Sequence, residues 1–67
     1  MDELKRAIME MERAAHEIEE EAEELWASGE RSDAEYYDRI AGYYRIAAAC
    51  CWEKLERMEA DRDAAQP

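Results

Sequence analysis

The single histidine, with the carboxylates near it, is the first candidate for metal or acid–base chemistry. Bundles that bind two metal ions use Glu-x-x-His at inward-facing positions, but the residue three before His16 is Arg13. Glu12, Glu19 and Glu20 lie within one helical turn of His16, and the apolar spacing described below predicts that all three face solvent. The sequence therefore favours an ordinary surface histidine, with no metal site and no cofactor.

Two adjacent cysteines, Cys50 and Cys51, are the only thiols of the chain. Neighbouring side chains on a helix diverge by about 100°, so this pair does not suit a normal intrachain disulfide. A disulfide framework also needs more cysteines at wider spacings. We interpret the pair as two small hydrophobic residues in a reducing compartment. A redox or metal-binding pair and a disulfide across a two-fold axis are the alternatives.

Serines and glycines form no recognisable catalytic or phosphate-binding motif. Ser28 and Ser32 fall in a predicted turn, where helix capping accounts for them, and neither has an evident base. Gly29 and Gly42 are isolated and cannot form a phosphate-binding loop. The sequence therefore predicts that the protein is not an enzyme.

Glutamates dominate one short stretch of the chain, with six in eight residues: Glu17, Glu19, Glu20, Glu21, Glu23 and Glu24. The simplest interpretation is a solvated acidic face that keeps a small oligomer soluble. One alternative is a docking surface for a basic partner, such as a nucleic-acid-handling protein whose groove it would occupy as a nucleic-acid mimic. Weak cation binding is the other, although a straight helix does not wrap oxygens around calcium as a loop does.

The composition of the chain predicts that the candidate residues described above lie on α-helices. The 67 residues suffice for one domain, and a mixture of 48% hydrophobic and 42% charged residues is typical of long helices and coiled coils. A net charge of −10 argues against direct nucleic-acid binding and against anionic membranes. The first four residues do not resemble a signal peptide, and the least charged stretch, 40–52, is shorter than the roughly 20 residues that a spanning helix needs. We expect a cytoplasmic protein.

Apolar residues of the first half alternate in steps of four and three, which predicts a helix over about 3–28 with a heptad seam. The seam comprises Leu4, Ile8, Met11, Ala15, Ile18, Ala22 and Leu25. Ala15 and Ala22 follow Ile8 at seven-residue steps and form one row with it. Because two of its three side chains are small, a neighbouring helix can approach closely along this row. Gly29 is the natural residue to end this helix.

A short turn, about 29–32, separates the first helix from a second one over about 33–62. Ser32 and Glu35 have the spacing of a capping box. Two long helices joined by so short a turn predict an antiparallel hairpin. We expect residues 63–67 to form a frayed tail.

Two parallel apolar tracks run along the second helix, so its face is broad enough to touch two neighbours. One track contains Tyr37, Ala41, Tyr44, Ala48, Cys51, Leu55 and Met58, and the other contains Tyr36, Ile40, Tyr43, Ala47 and Cys50. Gly42 interrupts this helix, and we expect another backbone or an aromatic ring to approach it closely. The sequence thus predicts an all-α hairpin that dimerises into a four-helix bundle.

The predicted function is protein–protein interaction by a self-associating hairpin, with a dimer favoured. The predicted interface comprises Tyr36, Tyr37, Ile40, Tyr43, Tyr44, Ala47, Cys51 and Leu55. One alternative is an acidic inhibitor, of the type that phages or mobile elements use, which binds a basic, nucleic-acid-handling protein through the glutamates at 17–24. A second alternative is a scaffold subunit of a larger complex.

Overall fold

The computed structural model describes residues 2–65 and shows two long α-helices packed against each other. Helix α1 spans Asp2–Ala27 and helix α2 spans Arg31–Ala65. The predicted all-helical hairpin is therefore confirmed. The predicted frayed tail is helical through Ala65, while Gln66 and Pro67 lie outside the described residues. Neither helix, over the described part of the chain, has a segment long and apolar enough to cross a membrane.

Gly29 ends α1 with the geometry that the sequence predicts. Its φ of +82° lies in the left-handed region, which a side chain disfavours. The Gly29 amide donates to the Trp26 carbonyl at 3.1 Å, and the Glu30 amide donates to the Leu25 carbonyl at 2.9 Å. These two bonds are the pair that defines a Schellman motif. They occupy carbonyls that the end of the helix would otherwise leave without a partner.

Helix α2 begins earlier than predicted, and the predicted capping box is wrong. The Glu30 carbonyl already accepts the Ala34 amide at 3.0 Å, which places Ser32 inside the first turn. The Glu35 carboxylate accepts from Arg31 Nε at 3.1 Å, so its partner is an arginine side chain. Because Gly29 completes the chain reversal within two residues, helical hydrogen bonding resumes before Ser32 is reached.

One row of mostly small side chains fills the contact between the helices. Each residue in it lies seven positions from the next along its own helix, and each is 2% exposed or less: Ile8, Ala15, Ala22, Ala34, Ala41, Ala48 and Leu55. Alanine contributes little buried area, but it allows two helix backbones to approach closely. Ile8 and Leu55 are the largest buried side chains, and they anchor the end farthest from the turn.

The hairpin is long and thin. Its principal extents are 60 × 15 × 11 Å, and its radius of gyration is 16.4 Å. A compact chain of the same length would have a radius of gyration of about 11 Å. Most side chains therefore lie within reach of solvent, and the buried row is the only core that the described residues form.

Gly29→Ala is expected to destabilise the hairpin by about 1–2 kcal/mol, because alanine must adopt a left-handed conformation there. Gly42→Ala is the matched control, since a Cβ at Gly42 would meet nothing within 4 Å. That control should stabilise the fold by about 0.5–1 kcal/mol through helix propensity. Urea unfolding followed by circular dichroism at one protein concentration measures both. Equal shifts of the same sign would contradict the role assigned to Gly29.

Ala48→Leu is expected to cost about 1–3 kcal/mol, because the larger side chain forces the two helices apart. Ala60→Leu is the control, since Ala60 lies on the same helix but is exposed. The same urea experiment applies, with helix content as the readout. An Ala48→Leu protein as stable as wild type would mean that close approach of the helices is unimportant.

Candidate functional site

Polar side chains close one edge of the interhelical contact. They form four pairs between the helices, and each step of seven residues forward along α1 is matched by seven residues back along α2. We call this set the polar edge. Its pairs are Lys5 with Glu59, Glu12 with Trp52, Glu19 with Arg45, and Trp26 with Asp38.

Two tryptophans of the polar edge donate hydrogen bonds to carboxylates across the contact. Trp52 Nε1 donates to Glu12 Oε1 at 2.7 Å, and Trp26 Nε1 donates to Asp38 Oδ2 at 3.0 Å. An indole has one donor and no acceptor, so a carboxylate is a suitable partner. The Trp52 ring also packs against the buried residues at the end farthest from the turn, whereas Trp26 is 44% exposed. Trp52 thus combines apolar contact with one oriented bond.

Two ion pairs alternate with the tryptophans. Arg45 Nε donates to Glu19 Oε1, and Lys5 Nζ lies 3.5 Å from Glu59 Oε1. The hydrogen bond from Arg45 is the largest influence on Glu19 and lowers the pKa of its carboxyl group. The same bond raises the pKa of Arg45. Exposed pairs such as these contribute little stability each, so their main effect is to fix which residues of the two helices lie opposite each other.

Glu12 and Glu20 are exposed, as the sequence predicts, and Glu19 is half-buried; Glu12 and Glu19 also have partners on α2 that the apolar spacing did not reveal. The sequence does contain a signal for these pairs, which is a seven-residue spacing of the residues on each helix. On α1 these are Lys5, Glu12, Glu19 and Trp26, and on α2 they are Asp38, Arg45, Trp52 and Glu59. Sequence reasoning followed apolar periodicity alone and missed a polar row with the same period.

The opposite edge of the contact is apolar and open. In a heptad, the positions that flank the buried row on this side are those of Leu4 and Ala7 on α1, and of Tyr37 and Ile40 on α2. No cross-helix hydrogen bond or ion pair of the described residues lies on this side. We call it the apolar edge. Its residues are Leu4, Ala7, Met11, Ala14, Ile18 and Leu25 of α1 with Tyr36, Tyr37, Ile40, Tyr43, Tyr44, Ala47, Cys50, Cys51 and Met58 of α2.

A shallow hollow of about 340 Å³ lies on the apolar edge where the two helices face each other near the turn. Its lining comes from both helices: Ile18 and Glu21 of α1, and Tyr36, Tyr37 and Ile40 of α2. The two tyrosine rings lie 6.2 Å apart in a tilted arrangement, at 49° to each other. The hollow is open to solvent and lined mainly by apolar side chains, which suits a protein side chain as its occupant.

Most of the predicted interface residues lie on the apolar edge. Tyr36 and Tyr43 are 58% and 64% exposed, and Tyr44 is 39% exposed. Tyr37, Ile40 and Cys51 are half-buried, while Ala47 is exposed. The exception is Leu55, which is 1% exposed between α1 and α2. Its side chain belongs to the core of the hairpin and presents no surface to a partner.

Three of the predicted acidic-surface glutamates have partners within the chain. Glu17 lies 3.6 Å from Arg13, Glu20 lies 3.0 Å from His16, and Glu19 contacts Arg45. The other three are exposed: Glu21, Glu23 and Glu24. The acidic stretch is thus divided among different sides of α1, and half of its members lie close to a basic side chain.

The candidate metal-binding side chains, thiols and carboxylates among them, are not brought together within residues 2–65. Cys50 is exposed and Cys51 is half-buried, and both are free thiols. Across residues 2–65, no three side chains of histidine, cysteine, aspartate or glutamate lie close enough together to hold a metal ion.

Glu19→Gln is expected to remove a pH-dependent part of the stability. Because the folded-state pKa of Glu19 lies below its ordinary value, the stability from this pair is complete at neutral pH and is lost as the pH falls through the folded-state pKa. The difference in unfolding free energy between wild type and variant should therefore be largest near neutrality and vanish in acid. Urea unfolding at a series of pH values measures it.

Glu23→Gln is the control for that experiment, since it removes the same charge from an exposed position on α1. Acid also relieves repulsion among the many glutamates, so only the contrast between the two variants is informative. A Glu19→Gln difference that stays constant with pH would contradict the ion pair.

No protein-family model, curated protein or solved structure matches this chain. Its functional interpretation rests on the two edges of the hairpin.

Proposed function

We propose that this chain is a small protein–protein interaction module that pairs with a second copy of itself through the apolar edge. Two hairpins joined in this way form an antiparallel four-helix bundle. The observation that carries the proposal is the difference between the edges. Polar bonds close one side of the contact, while on the other side apolar side chains of both helices are only partly covered.

Surface area supports a partner of similar size. The hairpin exposes 5419 Å², whereas a compact monomer of its mass exposes about 4,400 Å². The excess is about 1,000 Å², and each partner in a standard protein interface buries about 800 Å². A second hairpin on the apolar edge would therefore bury an area similar to the excess surface that the single hairpin exposes.

Charges along the apolar edge favour a second copy as that partner. Asp33, Ile40, Ala47 and Lys54 follow one another at seven-residue steps on α2. If two α2 helices pack antiparallel about a two-fold axis between Ile40 and Ala47, each Asp33 lies opposite Lys54 of the second copy. Such an interface is self-complementary, as a two-fold contact requires. Tyrosines beside this row supply large contact area with polar tips, as protein interfaces commonly do.

Ala47→Glu is expected to convert the dimer into a monomer, because it places a charge beside Ile40 of the second copy. Ala47 is exposed in the hairpin, so the variant should keep its helix content. Size-exclusion chromatography with light scattering gives the mass, which should fall from about twice the 7.9 kDa chain mass to that of one chain. Circular dichroism checks the fold.

Ala60→Glu is the control, since it adds the same charge at an exposed site on α2 beyond the apolar edge. It should leave the mass unchanged. A wild-type protein that stays monomeric at every concentration would overturn the proposal and would point to a different protein as the occupant of the apolar edge. A dimeric Ala47→Glu protein would show that self-association uses another surface.

A further inference from the structure

The middle of α2 is apolar around its whole circumference. Residues 40–52 contain a single charged side chain, Arg45, and that side chain belongs to the polar edge. A helix that is apolar on all sides is normally buried on all sides. Helix α1 covers one side, and the proposed dimer covers a second. A third side, facing away from α1, is left open.

This third side has its own heptad spacing. Arg39, Tyr43, Ile46, Cys50 and Glu53 follow one another in steps of four and three, and we call them the outer seam. The row of Arg39, Ile46 and Glu53 is turned by about 150° from the buried alanine row. Ile46 is 63% exposed and Tyr43 is 64% exposed. Tyr43 and Cys50 belong to both the outer seam and the apolar edge, whereas Ile46 belongs to the outer seam alone.

Gly42 lies beside the outer seam at an open position of α2. Glycine is a poorer helix former than alanine, yet the hairpin itself has no need of it, because an added Cβ would meet nothing within 4 Å. The expected close approach at Gly42 therefore does not occur within one chain. The open space beside Gly42 leaves the backbone of α2 accessible to a second chain.

We propose that the outer seam is a second self-association surface, through which two α2 helices of different dimers pack antiparallel about an axis at Ile46. In that arrangement Arg39 lies opposite Glu53 of the other copy, and the pair occurs twice by symmetry. Neither residue belongs to an ion pair within the described part of the chain. Gly42 lies on one flank of this contact, where its lack of a side chain lets the two backbones approach closely.

This surface acts together with the proposed dimer but uses a different side of α2. One chain with two different two-fold contacts assembles beyond the dimer, either into a closed set of four chains or into a longer array. The outer seam spans only two turns on each side of Ile46, which is short for a stable interface. Association through it should therefore depend on concentration.

The test compares the light-scattering mass of wild type, Ile46→Glu and Met9→Glu over a wide concentration range. Met9 is 63% exposed, as Ile46 is, but it lies on α1, so both variants add one charge at equally exposed apolar positions. We expect the mass of wild type and Met9→Glu to rise above twice the chain mass, and that of Ile46→Glu to stop at twice.

Cross-linking gives a second readout. In a Cys50→Ser, Cys51→Ser background, Ile46→Cys should link two chains in oxidised glutathione, while Met9→Cys should not. A two-chain mass for both wild type and Ile46→Glu at every concentration, or Ile46→Cys that links no better than Met9→Cys, overturns the outer seam and leaves the dimer standing. A two-chain wild type with a one-chain Ile46→Glu would instead assign the dimer to the outer seam and overturn the proposed function. Loss of the dimer itself would appear separately, as a one-chain mass for wild type.

Discussion

Close contact along a row of alanines is the constraint on which the hairpin depends. Two straight helices of this length share only one stripe, and here that stripe consists mostly of the smallest side chain that still favours a helix. The helices can therefore approach closely enough for an indole or a guanidinium on one to reach a carboxylate on the other. The same narrow stripe limits how much apolar surface one chain can bury.

The two edges follow from which residue types flank that row. On one flank the positions are charged or are tryptophan, and their pairing fixes the register of α1 against α2. On the other flank they are leucine, methionine, isoleucine and tyrosine, which pack only partly against the buried row and remain partly exposed. A chain that meets its polar requirements internally but not its apolar ones favours association.

Much of this arrangement was predictable from the sequence. The heptad seam of α1, the short turn and Gly29 predict the hairpin, because each depends on neighbours within a few residues. The polar edge depends on register, which the turn sets, and a turn geometry differing by one residue would have paired other side chains. Leu55 was assigned to the interface because a broad apolar face does not reveal which part of it the other helix covers. The start of α2 was misjudged because Gly29 completes the reversal before Ser32 can act as a cap.

The two helices present different surfaces: α1 is rich in glutamate, and the middle of α2 is rich in apolar residues. Outward-facing positions of α1 are rich in glutamate, including Glu3, Glu10, Glu17 and Glu24 at seven-residue steps. Like charges along that row repel a second copy, so stacking through the back of α1 is disfavoured. Helix α2 carries no comparable row of acidic residues between 40 and 52, where its side chains are mostly apolar. In the proposed assembly, this charge distribution directs association to α2, while the acidic helix α1 supports the hairpin and disfavours contacts through its own outer side.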